Sequence, residues 1–449
     1  MKVRIYKTSE PSYRSFIRRI LARRSGRRGD IEQRVDEIIR TVQQQGDRAV
    51  LRYTQEFDQR RMTRASMEVT TGEIDRAMAK VPAKDLGTLR LAAKRIAAFH
   101  RRQLQKSWHY RDPLGMVLGQ RITPLERVGV YVPGGKASYP STVLMNVMPA
   151  KVAGVKEIIM TSPIGNDVPI ILAAAKIAGV DRIFRIGGAQ AIAALAFGTA
   201  TIPKVDKIVG PGNIFVATAK RLVFGEVSID SIAGPSEILL LADDSADPAH
   251  VAADILSQAE HDELAAALCV TLSSHMATQI QRALEEQLRQ VRRQKITIKS
   301  LQNYGAIIVT GDLTEAVRIA NEIAPEHLEL LVEQPEKWAL QIRNAGAIFI
   351  GPYSAPPLGD YLAGPNHVLP TGGSARFFSP LGTYDFLKRT TVIHAKKRAL
   401  RALAPKIIQL ARLEGLDNHA RAVEARFVKE GEQWDAPARL NAKPKKQRL

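Results

Sequence analysis

Cysteine occurs once in 449 residues, at Cys269, and that scarcity removes two classes of protein at once. A disulfide framework needs paired thiols, and a thiolate zinc cluster needs several. Aromatic residues make up only 6%, which starves any base-stacking surface, and no nucleic-acid-binding signature occurs. No apolar run approaches the roughly 20 residues that span a bilayer, so no membrane partner is expected. No Gly-x-Gly-x-x-Gly follows a strand-like run and no Walker loop occurs. The lone cysteine lies in the apolar run Ala265–Leu272, and a chain without disulfides suits a reducing, cytoplasmic setting.

Acidic residues are also in short supply. Against 65 Lys and Arg there are 45 Asp and Glu, a net charge of +20, which invites a polyanionic partner. The distribution argues against nucleic acid: much of the excess lies at the ends, in Arg14 to Arg28 and Lys443 to Arg448, and the rest is spread along helices. Nonspecific polyanion binding remains open as a consequence of charge alone. In the first 29 residues Glu10 is the sole acid, a composition shared with organelle transit peptides. Ile17, Ile20 and Leu21 recur at helical spacing, which favours a basic N-terminal arm over residues 1–29.

What is present is a large apolar fraction, 45%, in a chain long enough for two or more domains. A helical pattern runs from Asp30 to Gln45, where Gly46 stops it, and another from Asp85 to Gln105. From Arg127 the period changes. Val128 to Val132, Glu157 to Thr161, Arg182 to Ile186, Lys207 to Val209 and Glu237 to Ala242 read as buried strands separated by helices. A second series follows at Ala267 to Thr271, Ala306 to Val309, Leu328 to Val332 and Ala347 to Ile350. Strands alternating with helices at roughly 25-residue intervals predict an α/β fold with parallel sheets, in two units. After Phe386 the pattern is mostly helical, at Ala399 to Glu414 and His419 to Lys429.

Ligands of open parallel sheets bind beyond the carboxyl ends of the strands, so the loops there carry the functional information. Four are Gly-rich: Pro133-Gly134-Gly135, Gly187-Gly188-Ala189-Gln190, Gly210-Pro211-Gly212-Asn213 and Gly234-Pro235-Ser236-Glu237. They bring bare backbone close to a ligand, and an anionic small molecule with phosphates near helix N-termini fits them. A helix opening at Asp247-Pro248 and continuing to about Ala267 would place Gln258 and His261 on one face, where an amide oxygen and an imidazole could share a cation. Gly359-Asp360-Tyr361-Leu362-Ala363-Gly364-Pro365-Asn366-His367 is a second unusual segment of the same kind. Glu326-His327 and Glu414 with His419 pair a carboxylate with an imidazole and can divide two proton transfers. The other histidines, His367, His100, His109, His250, His275 and His394, are assigned to structure or surface.

Val130 to Gly135, Tyr139 to Asn146, Gly188 to Ala191, Val209 to Asn213, Ala233 to Glu237, Gln258 to Asp262, Ala324 to Leu328, Gly359 to Pro370 and Glu414-Gly415-Leu416 followed by His419 stand in one order between about Val35 and Val423. Together they resemble the histidinol dehydrogenase family. The resemblance implies NAD- and zinc-dependent oxidation of L-histidinol to L-histidine through L-histidinaldehyde, the last step of histidine biosynthesis. It implies one Zn2+ per subunit on Gln258, His261, Asp360 and His419, with the metal orienting and polarising the substrate. His327 would take the alcohol proton and Glu326 would activate water. Tyr131, Gln190 and Asn213 would contact NAD. Ser236 and Glu414 would hold histidinol alongside His327 and the zinc set.

The family fold implies two incomplete Rossmann-like parallel-sheet domains, a larger one from residues 30–129 and 237–381 and an inserted one at 130–236. The arm at 1–29 and a small C-terminal helical segment at 382–449 complete it. It implies a homodimer whose C-terminal segment completes the partner's site. Ala355-Pro356-Pro357-Leu358 departs from the family, whose members more often carry Pro-Glu here, which bears on support for Asp360. Two alternatives stand beside this: a family member acting on another small alcohol, such as a sulfonated diol, and, from the +20 charge, a polyanion-binding protein on the same scaffold.

Overall fold

The structure, a computed structural model, describes residues 2–22, 29–134, 139–165 and 168–427. Residues 23–28 of the basic arm, Gly135 of the first Gly-rich turn and the basic tail lie outside the described residues. The chain separates into two compact units, one of residues up to 104 with 124–387 and the other of 105–123 with the residues from 388 onward.

Two parallel sheets carry the first unit. One runs, in spatial order, Arg4–Lys7, Gly305–Val309, Ala266–Thr271, Glu237–Ala242, His327–Leu331 and Ala347–Ile350. The other runs Arg182–Phe184, Glu157–Thr161, Arg127–Tyr131, Lys207–Val209 and Ser228–Ile229. Their central strands are buried on both faces, which is why they read as unbroken apolar runs. Successive side chains still alternate between faces. Val128 and Val130 enter one core, while Tyr131 enters the other with Ile159, Phe184 and Ile208. Each fully buried aliphatic side chain contributes about 1.5–3 kcal/mol.

The N-terminal segment is more than an arm. Arg4–Lys7 pairs in parallel with Gly305–Val309, and the helix Pro11–Ala22 buries Tyr13, Phe16, Ile17 and Ile20 in the core of the six-stranded sheet.

The expected helix from Pro248 to about Ala267 is shorter than read and ends at Ala259. Residues 265–268 are apolar because they approach and enter the buried strand Ala266–Thr271. Periodicity alone does not separate a short buried strand from a continued helix.

In the second unit, Trp108–Arg111 and Val117–Pro124 pair antiparallel in a three-stranded sheet with Leu387–His394. The segment after Phe386, expected to be mostly helical, therefore opens on a strand. Its helices Lys397–Leu413 and Asp417–Glu424 pack through Ala404, Ile408, Ala411 and Ala420. No helix among the described residues is long and apolar enough to cross a membrane.

Candidate active site

Tyr131, Gln190 and Asn213 line one cavity of about 670 Å3 in the first unit, at the carboxyl ends of the five-stranded sheet. Tyr131 ends its strand, and its hydroxyl accepts a hydrogen bond from the Gly188 N–H at 3.2 Å. Burial pushes that phenol up to about 12, so it stays protonated. Gly188 has φ +65°, and a Cβ there would lie 2.5 Å from Gln190 Oε1, so glycine is required. Gln190 is fully buried in the Ala-rich helix Gly188–Phe197, and neither atom of its amide has a partner. An unsatisfied buried amide facing a cavity suits a polar ligand. Asn213 caps the helix Ile214–Val223, accepting from the N–H groups of Phe215 at 3.0 Å and Val216 at 3.2 Å. A helix N-terminus at the cavity favours a phosphate.

Asp58, absent from the sequence reading, lines the same cavity with one carboxyl oxygen buried and unpartnered. Burial raises its pKa, against the pull of Arg60. Nothing local to the stretch Gln55–Asp58 marks it, since the cavity is built from distant segments.

The Glu326–His327 pair lies elsewhere, at the amino ends of two strands of the six-stranded sheet. This departs from the expectation that function gathers at carboxyl ends. The physical reason is that the first residue of a strand offers both its N–H and its carbonyl to the residues beside it. Here Glu237, which opens Glu237–Ala242, gives its N–H to Glu326 Oε2 at 3.0 Å and its carbonyl to His327 Nδ1 at 3.1 Å. A carbonyl only accepts, so Nδ1 carries the hydrogen and the free lone pair of a neutral ring is on Nε2. That nitrogen is buried without a hydrogen-bond partner, 3.7 Å from Asp360 Oδ1. Ala324, the left-handed cap of the preceding helix, has φ +49°. It turns the chain into Pro325 and then into the pair.

Both groups are tuned by burial. Loss of water raises Glu326 to about 7, although His327 and the Glu237 N–H favour its charged form. Burial presses His327 down, but Glu326 and Asp360 raise it further, to about 9. Asp360 is lowered: burial opposes its charge, and His327, His367 and His261 more than offset that.

Ser236 immediately precedes Glu237 and is fixed by its carbonyl, which accepts from the Ala266 N–H at 3.0 Å. Gln258 is buried in the last turn of its helix with its amide nitrogen unpartnered, while His261 lies exposed in the turn beyond. The expectation of one shared helical face is therefore corrected: a turn, not a helix, carries His261. His261 feels the charges of Asp360 and His327.

Asp360 sits on the short helix Pro356–Tyr361, opened by the two prolines of the unusual Ala355-Pro356-Pro357 segment. That helix rests against the edge strand through Gly359, where a Cβ would come 2.8 Å from Phe349, and the Phe349 ring lies 5.8 Å from that of His327. Gly359→Ala should cost about 1–3 kcal/mol through overpacking, read as a lower thermal midpoint, because the helix must lift away with Asp360.

His367, assigned above to structure, lines a cavity of about 620 Å3 together with Asp360 and interacts with its charge. No carboxylate stands beside it in the sequence, and its place in Gly359–Pro370 was the available signal.

Gln258, His261 and Asp360 offer an amide, an imidazole and a carboxylate, a donor set that suits zinc or a similar divalent ion. Of the Gln258 amide, the oxygen is the atom a cation would take, since the nitrogen only donates. Among the described residues no three His, Cys, Asp or Glu side chains form a ready metal cluster by themselves. Glu414 and His419 belong to the second unit, on either side of the Gly415 turn between its helices, and both are exposed.

The family profile described as histidinol dehydrogenase matches residues 21–427. The chain belongs to the histidinol dehydrogenase family. It is therefore an enzyme, an oxidoreductase acting on a CH–OH group. Histidinol dehydrogenase from Syntrophotalea carbinolica is 56% identical over 399 residues, covering 88% of this chain and 93% of that protein. The protein of that name from Geobacter metallireducens is 53% identical over 416 residues, covering 92% and 95%. The crystal structure of histidinol dehydrogenase from Elizabethkingia anophelis superposes with a TM-score of 0.88 at 34% identity, covering 94% of this chain and 98% of that one. The α/β fold with parallel sheets is thus that of a histidinol dehydrogenase.

Proposed function

We propose that the enzyme oxidises L-histidinol to L-histidine through L-histidinaldehyde, passing two hydrides in succession to NAD. The observation that carries this reading is the backbone of Glu237, whose N–H and carbonyl hold two different bases side by side next to Asp360. Oxidation of the alcohol releases a hydride and a proton, and the neutral form of His327, which gains population as pH rises toward about 9, would take that proton at Nε2. The aldehyde must then add water before a second hydride can leave. Glu326, raised to about 7, is poised to take the proton of that water near neutrality. Ser236, Glu414 and His367 orient the substrate around these bases.

NAD fits the cavity of Tyr131, Gln190 and Asn213, and when bound it accepts the hydrides. One Zn2+ per subunit fits Gln258, His261, Asp360 and His419, and when bound it supplies orientation and polarisation of the substrate. The site is completed in a homodimer, with Glu414 and His419 of the partner subunit. The exposure of both residues beside exposed Leu410, Leu413 and Leu416 supports that reading.

Counting NADH formed per L-histidinol consumed by zinc-loaded protein tests the proposal. The expected ratio is about two, as the two-step chemistry requires, lost on chelation and restored by zinc. NAD and zinc binding without NADH from histidinol would assign the enzyme to another small alcohol. Binding of neither would overturn the reading.

A further inference from the structure

Lys220 and Asp230 form an ion pair in a place where charge is costly. Lys220 lies inside the helix Ile214–Val223, and the two side chains are only 2% and 5% exposed. Lys220 Nζ donates to Asp230 Oδ1 and to the Gly210 carbonyl, the latter at 2.9 Å. Asp230 Oδ2 accepts the Gly210 N–H at 2.7 Å, and its Oδ1 accepts the Ser231 N–H at 2.6 Å. Both backbone polar groups of one glycine are thus taken by the two halves of one buried pair.

Gly210 is pressed from the other side as well. Its φ is +111°, and a Cβ there would lie 2.1 Å from the Tyr131 carbonyl oxygen. Three residues on stands Asn213, the cap of the helix that carries Lys220. The turn 210–213 is therefore fixed between Tyr131 and the ion pair, and two of the three residues expected at the cofactor depend on it.

Buried ion pairs return little net stability compared with apolar residues of the same volume. What an apolar pair would not supply is a donor for the Gly210 carbonyl together with an acceptor for its N–H. Resting on the reading of this cavity as the NAD site, we propose that Lys220 and Asp230 are positioning residues for the cofactor. They hold the turn so that Asn213 and the capped start of its helix are in place for the dinucleotide before it arrives.

Three variants of the zinc-loaded protein test this, with NAD binding measured directly by calorimetry beside steady-state kinetics. Lys220→Met should weaken NAD binding about tenfold or more, with KM for NAD rising further than kcat falls, because preorganisation is lost. The double variant Lys220→Met/Asp230→Leu buries no charge. It should recover most of the thermal midpoint that Lys220→Met loses while NAD binding stays weak, and it decides the matter if the single variant does not fold. Affinity unchanged in Lys220→Met, or recovered with the midpoint in the double variant, overturns the proposal. Gln190→Leu lines the cavity without touching the pair. If it weakens NAD and the Lys220 variants do not, the positioning role fails and the cavity reading stands. If it has no effect, the cavity reading fails and the positioning role with it.

Discussion

Glu326→Gln should leave the first oxidation running and slow the second by about 10²–10⁴-fold, the usual contribution of a positioned base. The amide oxygen of glutamine can still accept the Glu237 N–H that now reaches Glu326 at 3.0 Å, so the fold keeps its link to the neighbouring strand. The glutamine side chain has no basic form and does not activate water. Separate assays started from L-histidinol and from L-histidinaldehyde read the difference: the aldehyde should accumulate from the first and persist in the second. Equal losses in both would sink the division of labour.

The same residue sets a pH dependence. Burial disfavours the charged carboxylate, so the basic form is absent well below pH 7 and emerges as pH rises through about 7. The second oxidation in the unsubstituted enzyme should therefore rise with pH across that region and level off above it. In Glu326→Gln this limb should vanish.

His327→Asn should act on the other half-reaction, cutting oxidation of L-histidinol by about 10²–10⁴-fold. Asparagine can still donate to the Glu237 carbonyl in place of the Nδ1–H at 3.1 Å, which preserves the strand junction. It offers nothing in place of Nε2, which is the atom left free for the alcohol proton. The loss should be smaller when the assay starts from L-histidinaldehyde. Wild-type rates from the alcohol would remove His327 from the proton-transfer role.

The parts of the fold that could be read from residues are those where burial writes itself into composition. Glu157–Thr161, Lys207–Val209, Glu237–Ala242 and Ala347–Ile350 match the runs read from sequence, because interior parallel strands and their neighbours are apolar throughout. Trp108–Arg111 and Leu387–His394 were missed because they are almost wholly exposed, so neither alternation nor an apolar run marks them. Arg4–Lys7 is similarly exposed in pattern and is defined by its pairing with residues about 300 positions away in sequence.

The site divides in the same way. Glu326-His327 is legible as a carboxylate beside an imidazole, and Asp360 as part of an odd motif. What aligns Glu326 and His327 is the backbone N–H and carbonyl of Glu237, whose side-chain identity carries no trace of that duty. His367 and Asp58 meet their surroundings through distant segments, and no local spacing predicts such meetings.

The double use of the Glu237 backbone gives the two bases a common mechanical reference. A displacement of the strand Glu237–Ala242 would therefore reach Glu326 and His327 alike. A sequence change that tilts the backbone of Glu237 should, on the proposed roles, perturb both half-reactions in step, and neither base could be retuned by moving that strand without disturbing the other.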